Sequence, residues 1–211
     1  MLIVAIGIMR IFITGTDTNI GKTLISTWLC LHTGHGYFKP IQTGSSEGTD
    51  SQIVSGLSNA QIYQESYLYK DLSSPHLAAS LENQEIDIAK IDIPKDRNLI
   101  IEGAGGLLVP INKDYLMIDL IKYFSIPVII VARSSLGTIN HTLLTLEVLK
   151  TRNIKTLGVI MNGELNQPNA DAIEFYGKTK VLAQFPFLSS INKDILKKIP
   201  LSQNLQKIFG I

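Results

Sequence analysis

Residues 15–23, GTDTNIGKT, constrain what this chain can fold into more than any other stretch. An apolar run at 10–14, RIFIT, leads into them. A run with Leu24, Ile25, Trp28 and Leu29 on one side of a 3.6-residue period follows. Strand, glycine-rich turn, Lys-Thr and helix is the context a phosphate-binding loop requires. Glycine lets successive backbone N–H groups curl around an anion. The helix start near Lys22 adds free N–H groups and the positive end of a dipole. Residues 19–24 (Asn19, Ile20, Gly21, Lys22, Thr23 and Leu24) are therefore the expected nucleotide contacts, with Lys22 on the outer phosphates and the Thr23 hydroxyl on Mg²⁺. The strict pattern G-x-x-x-x-G-K-[ST] is not met, because position 16 is Thr16 and the loop is one residue longer. A tight turn that happens to contain Gly-Lys-Thr is the alternative.

The remaining chain is organised to match. Residues 99–106 read as a buried strand ending in an acid and a glycine turn, 127–132 as a continuous apolar central strand, and 157–161 and 181–185 as further strands. Helical periodicity appears after each of the first three, at 117–124, 139–149 and 169–176. Residues 37–40 read as a short strand ending at Pro40, 41–49 as a loop, Asp50 as a helix start, and 77–81 as a helix with Pro75 near its first turn. The isoleucines at 86, 88, 91 and 93 fit neither helix nor strand. The expected fold is a single α/β domain over residues 1–211, a mostly parallel sheet flanked by helices on both faces, of P-loop NTPase type.

Ligands of such sheets bind beyond the carboxyl ends of the strands. Five segments place polar groups there: 16–23, 39–50, 102–106, 133–141 and Asn162. Glu102 follows an apolar strand where a P-loop protein places its Walker-B acid, and a carboxylate there can hold Mg²⁺; the alternative is a helix cap. Asp50 is either a third metal-side group or an ordinary N-cap. Lys39, before Pro40, is either a surface charge or a second ammonium beside Lys22, able to neutralise a transferring phosphoryl group. The helix start at Gly137, Thr138 and Ile139 could bind a carboxylate through its N–H groups, or simply be capped by Thr138. His76 and His141 lack metal-ligand spacing and read as structural.

Net charge is +1, which points to neither nucleic acid nor an anionic membrane as partner. The single Cys30 excludes an intramolecular disulfide, reads as core, and fits a reducing compartment. Residues 1–9 are apolar but carry no basic segment and no cleavage site. They read as an extension of the first strand, or as residues ahead of an alternative start at Met9. A cytoplasmic location follows.

Together, GTDTNIGKT, YFKPIQTG, SSPH, IIEGAGGLLVP and LGTINH resemble, in the same order, the motifs of the dethiobiotin synthetases. The resemblance implies a ligase that joins CO₂ or bicarbonate to 7,8-diaminononanoate at the expense of ATP, with Mg²⁺. It implies that Lys22 and Lys39 are catalytic, and that Thr23, Asp50 and Glu102 organise the metal. Glu102, Gly103, Ala104 and Gly105 would border the nucleotide. Thr43 would contact substrate, and Gly137, Thr138, Ile139 and Asn140, supplied by a neighbouring subunit of a homodimer, would bind its distant carboxylate. Asn162 and Gly163 would read the adenine, with Pro186, Phe187 and Leu188 beside it. Asn19 stands where many members carry Glu, and residues 83–98 are shorter than the helix-bearing crossover usual in the family. A partition-type switch ATPase shares the deviant loop, but its signature lysine is absent: positions 16 and 17 are Thr16 and Asp17.

Overall fold

The computed structural model describes residues 8–95 and 97–211. Strand β1 (Arg10–Gly15) begins after Met9, and most of the expected extension at 1–9 lies outside the described residues. The other strands are β2 (Gly36–Phe38), β3 (Ile41–Gln42), β4 (Ile62–Tyr63), β5 (Tyr67–Leu68), β6 (Leu99–Gly106), β7 (Val128–Arg133), β8 (Thr156–Asn162) and β9 (Val181–Phe185). Seven of them form one sheet in the order β4-β2-β6-β1-β7-β8-β9. Every pairing in it is parallel. Strands β3 and β5 make a separate parallel pair.

The sheet is buried on both faces, which is why its strands read as apolar runs rather than alternations. Successive side chains of β1 go to opposite sides. Phe12 joins a core with Met117, Ile118 and Ile121 from helix α4 (Met117–Phe124). Ile11 and Ile13 join a second core with Ile25, Trp28 and Leu29 from helix α1 (Lys22–Thr33). Helix α2 (Asp50–Leu57) contributes Val54 to the α1 face. Helices α3 (Pro75–Leu81), α5 (Thr138–Thr151) and α6 (Gln167–Gly177) cover the other. The α1 face is completed by α7 (Lys193–Lys198) and α8 (Gln203–Phe209), whose Leu196, Leu205 and Phe209 are buried there.

Among the described residues of the stretch 83–98 there is one 3₁₀ turn, Ile88–Lys90, begun by the Asp87 side chain accepting from the Ala89 N–H at 3.0 Å. Ile86, Ile88 and Ile91 are all buried, so their irregular spacing reflects a strap pressed into the core rather than an amphipathic element. The loop expected at 41–49 contains β3 and a 3₁₀ turn at Ser45–Glu47. Among the described residues, no helix is long and apolar enough to cross a membrane.

Candidate nucleotide and ligation site

Strand β1 delivers the chain to its carboxyl end with Gly15 buried. A Cβ there would lie 2.6 Å from Ile20 Cδ1 and 2.8 Å from the Asp17 carbonyl. Only glycine lets the loop double back so closely. Gly21, at φ 91°, then turns the chain into α1, a left-handed conformation that costs glycine little. Lys22, Thr23 and Leu24 form the first turn of that helix, and their N–H groups are the orphan donors that suit an anion.

A cavity of about 430 Å³ opens beyond these strand ends. Lys22 and Thr23 line it from α1, Lys39, Gln42 and Thr43 from the chain after β2, Asp50 from α2, and Glu102, Ala104 and Gly105 from β6. Lys22, Lys39 and Glu102, from widely separated stretches of the sequence, thus share one space. Lys22 Nζ donates to the Asp17 carbonyl at 3.2 Å. Lys39 Nζ is ion-paired to Asp50 and, at 3.2 Å, to Glu102 Oε1. Thr23 Oγ1 donates to the same Glu102 oxygen at 2.9 Å, and Tyr37 OH donates to the other at 3.0 Å. The Asp50 N–H donates to Gln42 Oε1 at 3.0 Å.

Lysines 22 and 39 are both buried, yet their proton affinities move apart. Burial pulls the Lys22 ammonium below its ordinary value, with Glu102 opposing and the Lys39 charge assisting. Burial acts on Lys39 too, but Glu102 and Asp50 together outweigh it and hold that ammonium above its ordinary value. The physical difference is the partner: a backbone carbonyl for one, two carboxylates for the other.

Several alternatives read from the sequence are resolved by this geometry. Asp50 is not the cap of α2; Thr49 is, in a reciprocal box with Gln52, so the Asp50 carboxylate is left for Lys39. Glu102 is not a strand-end cap either. It sits within β6, whose regular structure continues through Gly106, and it is fully buried. Thr138 does not cap α5, since Gly137 holds that position and the buried Thr138 hydroxyl has no partner. Cys30 is buried, and burial raises its thiol, as a core residue requires. His76 is exposed beside the Ser74 hydroxyl, while His141 lines a neighbouring apolar cavity.

The hard oxygen donors of Thr23, Asp50 and Glu102 face the same cavity, and an ammonium already lies between the two carboxylates. Mg²⁺ takes few protein ligands and keeps water and phosphate oxygens for the rest. The donor set fits that ion. Among the described residues no three His, Cys, Asp or Glu gather into a closed metal cage.

Other expected site residues stand apart. Gly137 and Asn140 are exposed, and residues 137–140 do not line the lysine cavity. Asn162 ends β8, and its Nδ2 donates to the Ile20 carbonyl at 2.9 Å, tying the end of β8 to the phosphate loop. Gly163 follows it, its N–H on the Phe185 carbonyl at 3.0 Å. Pro186 and Leu188 are half-buried after β9, and Phe187 is 72% exposed. Sequence reasoning passed over Asp17, which also pairs with Arg133 at 2.5 Å, and over Tyr37 and Gln42. The available signal for Tyr37 was its position two residues before Lys39 on an extended segment, hence on the same side.

A family described as "AAA domain" matches residues 9–194. A protein of Lawsonia intracellularis (strain PHE/MN1-00) named ATP-dependent dethiobiotin synthetase BioD is 60% identical over 95% of this chain and 99% of its own length. Proteins of the same name from Paramagnetospirillum magneticum (strain ATCC 700264 / AMB-1) and Neorickettsia sennetsu (strain ATCC VR-367 / Miyayama) are 47% and 41% identical, over 90% and 95% of this chain and 94% and 95% of theirs. Among solved structures, the MinC:MinD cell division complex of Aquifex aeolicus matches with TM-score 0.59 at 16% identity, covering 96% of each chain. A ParA family ATPase from Chlorobium tepidum TLS matches with TM-score 0.53 at 14%, over 95% of this chain and 92% of that one. These two likenesses establish the fold, a P-loop α/β sheet, and nothing finer. With the phosphate loop, the two lysines and three relatives above 40% identity along nearly the whole chain, this protein belongs to the ATP-dependent dethiobiotin synthetases, the ligases of biotin synthesis.

Proposed function

We propose that the cavity closes the ureido ring of dethiobiotin by a carbamate and a mixed anhydride. One amine of 7,8-diaminononanoate adds to CO₂ and loses a proton, giving the carbamate. A carbamate oxygen attacks the γ-phosphorus of ATP and ADP leaves. The neighbouring amine then attacks the carbonyl carbon of the carbamic-phosphoric anhydride, loses its proton and expels phosphate.

Each step develops negative charge at the strand ends, where preorganised cations are most effective. Lys22 leaves the Asp17 carbonyl for the outer phosphates. Lys39 leaves Asp50 and Glu102 to stabilise the carbamate and the moving phosphoryl group. Thr23, Asp50 and Glu102 would hold Mg²⁺, which when bound neutralises phosphate charge. Asn19 to Leu24 cradle the phosphates, Gly103 to Gly105 form the opposite wall, and Thr43 orients the diamine. The adenine lies between Asn162, Gly163 and the segment Pro186, Phe187 and Leu188. The substrate carboxylate reaches Gly137, Thr138, Ile139 and Asn140 of a second copy, so the working unit is a cytoplasmic homodimer. The observation that carries this reading is the convergence of Lys22, Lys39, Asp50 and Glu102 on one cavity.

The test is phosphate release from ATP with each reactant omitted in turn. Turnover is expected only when the diamine and bicarbonate are both present, with dethiobiotin seen by mass spectrometry. Turnover indifferent to the diamine would overturn the ligase assignment.

A further inference from the structure

Glu102 is held by three donors, and they are not equivalent. Thr23 Oγ1 and Lys39 Nζ reach Oε1, at 2.9 and 3.2 Å. Among the described residues, Tyr37 OH alone reaches Oε2, at 3.0 Å. Tyr37 and Glu102 are both fully buried. Their meeting is fixed by sheet register: Tyr37 pairs with Ile100 across β2 and β6, and Glu102 lies two residues on, on the same face as Ile100. Tyr37 touches no part of the cavity itself.

When nucleotide and metal arrive, Thr23 and Lys39 both have other work under the function proposed above, on which this inference rests. Tyr37 has none. Its hydroxyl is the donor left on the carboxylate, on the oxygen that neither Thr23 nor Lys39 reaches. We propose that Tyr37 is a positioning residue: its phenol anchors Oε2 of Glu102 so that Oε1 stays aimed at the divalent cation throughout the reaction. Partners one step behind a metal ligand commonly set its affinity for the ion. A phenylalanine would fill the same core space but leave Glu102 free to swing.

The decisive measurement is Mn²⁺ binding to the ADP complex, read by the paramagnetic signal of free Mn²⁺. Tyr37→Phe is expected to weaken Mn²⁺ about 10-fold. The Mg²⁺ concentration for half-maximal turnover should rise by a similar factor, with KM for the diamine unchanged. Tyr37→Leu should lose the same affinity while lowering the melting temperature further, since only it gives up packing. In a Glu102→Gln background, Tyr37→Phe should change Mn²⁺ affinity by less than about 2-fold, because the two act in series. A Tyr37→Phe protein that keeps wild-type Mn²⁺ affinity would overturn the inference, as would an undiminished loss in the Glu102→Gln background. A wild-type ADP complex that takes up no Mn²⁺ would overturn the metal assignment and this inference with it. Wild-type Mn²⁺ uptake with turnover indifferent to the diamine would sink the ligase reading and leave the role of Tyr37 standing.

Discussion

The two ends of the proposed site are built differently. At the phosphate end, Lys39, Asp50, Glu102, Thr23 and Tyr37 are tied to one another within a single chain. At the far end, Leu136 is 100% exposed, Gly137 and Asn140 are exposed, and Phe187 projects into solvent. A buried ion pair that loses one partner leaves an uncompensated charge worth roughly 3–5 kcal/mol, whereas an exposed pair such as Arg133–Asp17 is worth roughly 0.2–1 kcal/mol. The lysine-carboxylate cluster is therefore preorganised, and under the proposed function the substrate tail and the base would be held by surfaces that a ligand or a second copy completes.

Substitutions at the two ends should separate accordingly. Lys39→Ala is expected to lower turnover by at least ~100-fold through loss of one preorganised charge, checked by phosphate release with both co-substrates present; an unchanged rate would remove Lys39 from the mechanism. Lys22→Ala should weaken ADP by about 10- to 100-fold, the usual range for a charge-assisted contact, as calorimetry would show. At the open end, Leu136→Asp should impair self-association in sedimentation and raise KM for the diamine about 10-fold, leaving ADP affinity intact. If ADP binding fell as well, the two ends would not be separable. Phe187→Ala should weaken ADP by only about 3-fold, since a side chain that projects into solvent gives the base one partly covered face.

The smallest effect lies outside both ends. His35 is buried, edge-on to Phe209 at 5.1 Å, with Nδ1 near the Thr33 carbonyl at 3.4 Å. Burial holds its imidazole below the ordinary 6.5, against the opposing pull of Thr33. The unfolded chain therefore takes up a proton more readily than the folded one. Stability is full above pH 6.5 and declines as pH falls from there toward the lowered folded value. Melting temperature should drop as pH is lowered below 6.5, and His35→Phe should flatten that dependence while leaving ADP affinity unchanged.

What was legible from the amino acids follows from length scale. The apolar runs of β1, β6, β7, β8 and β9 and the periodicity of α1, α4, α5 and α6 are long enough to declare themselves. Strands β4 and β5, two residues each, carry no period at all. The short α7 and α8 gain their place from Leu196, Leu205 and Phe209 packing on the α1 face, a tertiary effect. Lys22 and Glu102 were visible because their neighbours form local motifs. Tyr37 was not, because its partner is 65 residues away and is chosen by the register between β2 and β6. The isoleucines of residues 83–98 looked anomalous for the same reason: their order comes from the core they cover.

The close approach of Ile20 to Gly15 has a consequence for how the phosphate loop responds to its solvent. That fastening is hydrocarbon against backbone and carries no charge. Ionic strength screens the attraction between an exposed cation and a phosphate but leaves apolar contact intact. Concentrated salt should loosen the grip on nucleotide while the curl of residues 15–21 keeps its shape, so that affinity returns on dilution without any slow refolding of the loop.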